Sequence, residues 1–331
     1  MPSKFLHPLP FDLRIPMRWS TYLSPLDGRE RIAVVQDGVL HGSRRHTSLL
    51  ELLGDTGEKL RTAGEAALTD PLERIPVESA RILAPIPVPP SIRDFMAFED
   101  HLTHIMKKRG TVLDPAWYEI PAFYFTNPAA TLGPTDDVPA APGAVELDYE
   151  VEIAAVIGRP GRDLSPEDAA RHIAGYILLC DWSARDLQKR ERGIGLGPVK
   201  GKDWATTFGP VFVTADELPT PGGEKAPKLG MRASVNGRSY SDGNLSELYW
   251  SFGEMIAYAS RGTEIRAGDI IGSGTVGTGC IADLSARYSL QEYPWLTVGD
   301  RIHLEADGLG SIDCLITPAA PVVPLRPDTV T

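Results

Sequence analysis

Four of the six residues at positions 85–90 are proline: Pro85, Pro87, Pro89 and Pro90. Proline fixes φ and has no N–H to donate, so this run forms neither helix nor central sheet. It divides the chain, and the expectation is a small N-terminal β-rich domain at 1–84 followed by a catalytic domain at 85–331. In the first part, Asp37-Gly38 joins strand-like runs at 31–35 and 39–42 as a tight hairpin. Residues 48–53 and 58–68 read as two short helices. Beyond the prolines, strands are expected at 148–157, 175–181, 209–214, 231–240 (turning at Asn236-Gly237), 269–272 and 301–306. Ser165-Pro166 starts one helix, with serine as N-cap and proline at the first helical position. Asn244 to Glu247 opens a second, expected to run to Ser260 with Gly262 just beyond its end. The 29 prolines and 32 glycines add turns, and the helices are too few for alternating βαβ units. The predicted fold class is therefore strand-dominated α+β.

Charge narrows the function. Forty-four acidic residues against 33 basic ones give a net charge of −11, with no local Lys/Arg run to compensate, so no nucleic acid is expected as partner. Cys180, Cys280 and Cys314 form no CxxC pair, which indicates neither a zinc knuckle nor a disulfide framework. The start lacks the apolar core of a signal peptide, and no later run is long enough to span a membrane. A cytoplasmic protein with no membrane partner is the expectation.

Three stretches carry chemistry. In Glu146 to Val156, Leu147, Tyr149, Val151 and Ile153 alternate with Asp148, Glu150 and Glu152. An amphipathic strand with acids on water explains the pattern. Three like charges on one face repel, however, and a hard divalent cation removes that cost when two carboxylates converge on it. The second stretch is an apolar strand ending on Asp181, with a helix expected to begin at once and to place Arg185 and Gln188 one turn apart. A surface salt bridge and a ligand pocket both fit that spacing. The third, Arg93 to His104, follows the proline run and holds Asp94, His101 and His104 without an HExxH arrangement. Its segment at 98–109 is highly charged and reads as a mobile loop that closes over the site. His7, His41 and His46, before Pro85, lie in no motif and are expected to take no part in catalysis. Gly272 to Gly277 matches GxGxxG, but no amphipathic helix is evident over 280–284 and no βαβ context surrounds it, so it reads as a glycine-rich turn.

The ordered set DFxxFxxH, LDYEVEIA, DWSARDLQ, GPVKGKD and SGTVGTG resembles the catalytic domain of the fumarylacetoacetate hydrolase family over about residues 84–315. The resemblance implies a mixed β-sandwich or roll, a homodimer and a metal-dependent hydrolase that cleaves a carbon–carbon bond in a diketo acid. It implies one divalent cation, Mg²⁺ first, with Mn²⁺ and Ca²⁺ also admissible, held by Asp94, Glu150, Glu152 and Asp181. By the same likeness His101 is the general base and Lys202 a catalytic cation, while Tyr124, Arg185, Gln188 and Thr275 hold the substrate or its oxyanion. Oxaloacetate-type decarboxylases, ureido-acid lyases and dienoic diacid isomerases share the scaffold, and a non-catalytic metal- or ligand-binding protein is the alternative outside enzymes. Two positions depart from the pattern. Met96 stands where the hydrolase has a substrate-contacting tyrosine, and Asp283 takes the place of the glutamate that orients the histidine.

Overall fold

The two longest strands at the centre of the molecule, Val151–Ile157 and Ile173–Asp181, are buried along their whole length. They pair antiparallel from Val151↔Cys180 to Ile157↔Ile173. Alternate residues supply two cores. Ile153, Ala155, Tyr176 and Leu178 pack with Met231, Leu304 and Ile312 on one face. Ala154, Val156, Ile177 and Leu179 pack with Trp19, Leu60 and Phe212 on the other. A strand covered on both faces reads as a near-continuous apolar run, which is what VEIAAVI and IAGYILLC show.

The computed structural model describes residues 17–220 and 224–326; His7 lies outside the described residues. The main sheet runs, in spatial order, Arg74–Pro76, Val39–Gly42, Glu30–Gln36, Arg18–Leu23, Phe212–Thr214, Ile173–Asp181, Val151–Ile157, Ile270–Gly272, Ile92–Phe95 and Phe123–Thr126. Ile270–Gly272 pairs parallel with Ile92–Phe95, and the other neighbours along this path are antiparallel. A second sheet, Arg238–Asn244, Gly230–Val235, Arg301–Ala306, Gly310–Thr317 and Val138–Pro139, covers one face. The fold is strand-dominated α+β. The strands before Pro85 are hydrogen-bonded into the main sheet through Arg18↔Val213, and helix Glu58–Thr69 packs on the same apolar layer as Phe208 and Ile270. No helix among the described residues is long and apolar enough to cross a membrane.

Several local readings hold. Asp37-Gly38 and Asn236-Gly237 have positive φ at both positions and turn their hairpins as type I′ chemistry requires. Pro166–Ala170 is a helix capped by Ser165. Two readings need correction. The helix expected from Asn244 to Ser260 begins only at Phe252, because Ser251 and Glu254 form the capping box while Asn244 caps a short 3-10 turn at Leu245–Glu247. The expected loop at 98–109 is a helix, Glu99–Lys108, with His101 and Leu102 buried. Its acids at the start and lysines at the end complement the helix dipole.

Gly175 makes a testable demand of this packing. A Cβ there would stand 2.1 Å from the Val213 carbonyl oxygen and 2.6 Å from the Phe212 ring. Gly175→Ala should destabilise the fold by about 1–3 kcal/mol, the usual cost of overpacking, seen as a lower denaturant midpoint.

Candidate active site

Three strands of the main sheet deliver the carboxylates. Asp94 comes from Ile92–Phe95, Glu152 from Val151–Ile157 and Asp181 from the end of Ile173–Asp181. Ile270–Gly272 runs between the strands of Glu152 and Asp94 and carries no side chain at Gly272, so the two acids meet across it. One oxygen each from Asp94, Glu152 and Asp181 lies within 4.8 Å of the other two, and all three residues are buried.

Each of these carboxylates has one oxygen fixed and one free. Tyr124 donates its hydroxyl to Asp94 Oδ2 at 3.0 Å and also to Asp181 Oδ2. The Gly274 N–H donates to Glu152 Oε2 at 3.0 Å. Asp94 Oδ1, Glu152 Oε1 and Asp181 Oδ1 are buried with no hydrogen-bond partner. Burial and then the Asp94 charge push Glu152 well above the usual carboxylate range. Burial likewise raises Asp181, which Lys202 only partly offsets. Three orphaned buried oxygens on three acids form the donor set that a hard divalent cation takes, so the residues fit such an ion.

Glu150 is held differently from the other three expected ligands. Arg185 donates to its Oε1 at 2.7 Å and Lys202 to its Oε2, while Lys202 also bonds Asp181. Burial alone would lower the Lys202 ammonium, but Asp181 and Glu150 outweigh it and hold the group above its ordinary value. Asp148, on the same sequence alternation, faces Arg185 and accepts the N–H groups of Ile281 and Ala282 at 2.7 and 3.0 Å. It anchors the N-terminus of helix Ile281–Arg287. That helix corrects the reading of 280–284 as non-helical: its cap is Cys280 and its anchor comes from more than a hundred residues away. The glycine-rich turn before it serves close approach to the carboxylates. The acids on the 147–153 alternation are not on water, and Tyr149 and Glu150 interrupt the strand between Leu147–Asp148 and Val151–Ile157.

The helices place the histidine. His101, in the first turn of Glu99–Lys108, sets its Nδ1 3.6 Å from Asp283 Oδ2, beyond hydrogen-bond length and with no other partner. Arg287 donates from Nε and Nη2 to Asp283 at 2.8 and 3.1 Å, and the Thr278 N–H donates at 2.7 Å. Burial alone would raise Asp283, but His101 and Arg287 together outweigh it and hold the carboxyl below the usual range. His104, by contrast, is tied to the Asp100 carbonyl on the outside of the helix.

His101, Asp94, Glu150, Glu152, Tyr124, Arg185, Gln188, Lys202 and Thr275 all line one cavity of about 400 Å³. His41 and His46 do not line it. Sequence reasoning missed Arg287, which stands four residues after Asp283 and so on its helical face, and read Gly272 only as the start of a glycine-rich turn. A Cβ on Gly272 would lie 2.4 Å from Asp94 Oδ1 and 3.1 Å from Glu152 Oε2. Gly272→Ala should therefore weaken divalent-cation binding at least tenfold by calorimetry while the folded circular dichroism spectrum is retained.

The profile described as Fumarylacetoacetate (FAA) hydrolase C-terminal matches residues 91–317, the stretch that supplies every group named in the cavity. The chain belongs to this family. A fumarylacetoacetate hydrolase of the psychrophile Exiguobacterium antarcticum is similar in structure: TM-score 0.70, 27% identity, covering 91% of this chain and 99% of that one. A Sphingobium maleylpyruvate hydrolase in complex with manganese(II) and pyruvate is similar at TM-score 0.68 and 26% identity, covering 92% of this chain and 100% of that one. In sequence, oxaloacetate tautomerase YisK of Bacillus subtilis is 33% identical over 198 residues, 59% of this chain and 60% of that protein's length. Proteins similar to this chain thus include both hydrolases and a tautomerase.

Proposed function

We propose that this family member is a divalent-metal-dependent hydrolase that cleaves a carbon–carbon bond of a β-diketo acid of the acylpyruvate or fumarylpyruvate type. The observation that carries the reading is a buried histidine, backed by Asp283 and Arg287, lining the same cavity as Asp94 and Glu152, two of the three clustered carboxylates with free oxygens. A base poised beside an ion site is what water attack on a carbonyl needs. Asp94, Glu152 and Asp181 would hold the cation, with Glu150 beside them on Lys202. When bound, the ion supplies Lewis acidity that draws electron density from the substrate's enolate oxygens.

The chain's own groups do the rest. Asp283 beside Nδ1 keeps a proton on that nitrogen, which leaves Nε2 to accept one from water. The resulting hydroxide adds to the distal carbonyl carbon. Lys202 and Gln188, both on the cavity wall, donate to the oxyanion that forms. Collapse breaks the bond to the adjacent carbon, and its electron pair passes to the departing enolate. That enolate carbon takes a proton back, giving a carboxylic acid and an α-keto acid. Phe95, Phe98 and Phe123 line the cavity and limit bulk water.

A second reading is favoured by the Bacillus tautomerase: proton transfer between keto and enol forms uses the same groups without water addition. The two separate on products. Incubation of acetylpyruvate, fumarylpyruvate and oxaloacetate with Mg²⁺ or Mn²⁺, followed by chromatography, should show new acid pairs from the first two. Loss of enol absorbance with no new acid would support the tautomerase instead.

A further inference from the structure

Cys280 is fully buried at the N-cap of helix Ile281–Arg287, where its sulfur accepts the Asp283 N–H at 3.4 Å. A serine or threonine oxygen would cap more strongly, because sulfur is a weak acceptor. A buried free cysteine ordinarily fills space as a small apolar group. This one has further neighbours. Its Sγ, a ring nitrogen of His101 and a carboxylate oxygen of Glu150 all lie within 4.8 Å of one another. All three side chains are buried, and His101 is 7% exposed with its Nδ1 making no hydrogen bond.

Glu150 is not saturated by its two cations. Arg185 donates to Oε1 and Lys202 to Oε2, one bond each. A carboxylate offers about four lone-pair positions, so each oxygen keeps one for a further partner. The resulting donor set is one sulfur, one imidazole nitrogen and one oxygen, against the all-oxygen set of Asp94, Glu152 and Asp181. Hard ions suit the second set, whereas thiolate and imidazole select a softer one. Zinc bonds of about 2.0 Å to nitrogen and about 2.3 Å to sulfur put tetrahedral ligand atoms roughly 3–4 Å apart, so these donors need close by only about 1 Å. His101 and Glu150 line the cavity, which leaves a fourth position open to it.

We propose that His101, Glu150 and Cys280 form a second cation site, selective for a thiophilic divalent ion such as Zn²⁺, beside the carboxylate cluster. The thiol proton passes to solvent as the ion binds, and the thiolate takes the metal bond. An ion held there occupies the histidine that would otherwise accept a proton from water, so Zn²⁺ inhibits turnover. That consequence alone rests on the hydrolase reading.

The test uses Co²⁺ as a spectroscopic stand-in for Zn²⁺, titrated into the full chain saturated with Mg²⁺. The wild type should develop a thiolate-to-cobalt charge-transfer band that saturates at one equivalent and is abolished by added Zn²⁺. Cys280→Ser keeps the cap and the other two cysteines, and should show no such band. His101→Ala should weaken the cobalt affinity by roughly 10- to 100-fold or more, at least the scale of losing an outer-shell partner. No band in the wild type, or a band unchanged in Cys280→Ser or in His101→Ala, overturns the site. With acetylpyruvate as substrate and Mg²⁺ in excess, Zn²⁺ should inhibit Cys280→Ser at least tenfold less strongly than the wild type. Equal inhibition of the two proteins overturns the inhibitory effect. If the wild type does not turn over acetylpyruvate, the hydrolase reading fails, and the cobalt band still decides the site.

Discussion

His101→Ala should lower hydrolysis of acylpyruvates by about 10²-fold or more, the scale of losing a positioned general base, while leaving cation affinity at the wild-type value. Asp94, Glu152 and Asp181 gather without the histidine, which stands with Glu150 and Cys280 on one side and Asp283 on the other. Asp283→Asn should fall in the same direction by a smaller factor, because the amide can leave the Nδ1 proton misplaced without removing the base. Steady-state kinetics with calorimetric titration of Mn²⁺ reads both quantities. Full activity in His101→Ala, or loss of the cation in that variant, would remove the histidine from the role given to it.

Chelation should have the other large effect. EDTA should abolish turnover and lower the melting temperature, and Mn²⁺ should restore both. At a cation concentration 100 times Kd, binding to the native state alone contributes about 2.7 kcal/mol of stability. The acids also set a pH dependence. Burial and neighbouring carboxylates hold Glu152 and Asp181 above the usual range, so in the metal-free protein these groups keep protons that a cation must displace. Affinity should therefore weaken as pH falls, with proton release measurable by titration in buffers of different ionisation enthalpy. An EDTA-treated protein with unchanged melting temperature and activity would contradict the assignment of the cluster.

Of the clustered acids, Glu152 was marked by a strand that alternates with period two and repels its own charges unless something binds them, while Asp94 came only from the family resemblance. Asp181 was legible as a carboxylate at the end of an apolar run. What sequence pattern did not show is long-range. Next to the break at Tyr149 and Glu150, Asp148 reaches forward to anchor the helix at 281, a partner that no local period encodes. The short helix Ile281–Arg287 was missed for the same reason, and with it Arg287. Segment 99–108 was read as a loop because its charges suggested little burial, yet Glu99 and Asp100 at one end and Lys107 and Lys108 at the other are the signature of a dipole-matched helix. The reserved space at Gly272 is a property of the neighbouring strands' register and so of the folded sheet, not of the chain around it.

Water addition is the step that separates hydrolysis from every other reaction the family's enolate chemistry allows. The direct measurement is turnover of acetylpyruvate in ¹⁸O-labelled water with Mn²⁺, read by mass spectrometry on the acetate released. One labelled oxygen is expected in each acetate formed, with formation suppressed by EDTA and in His101→Ala. Consumption of the enol with no labelled acetate would contradict it.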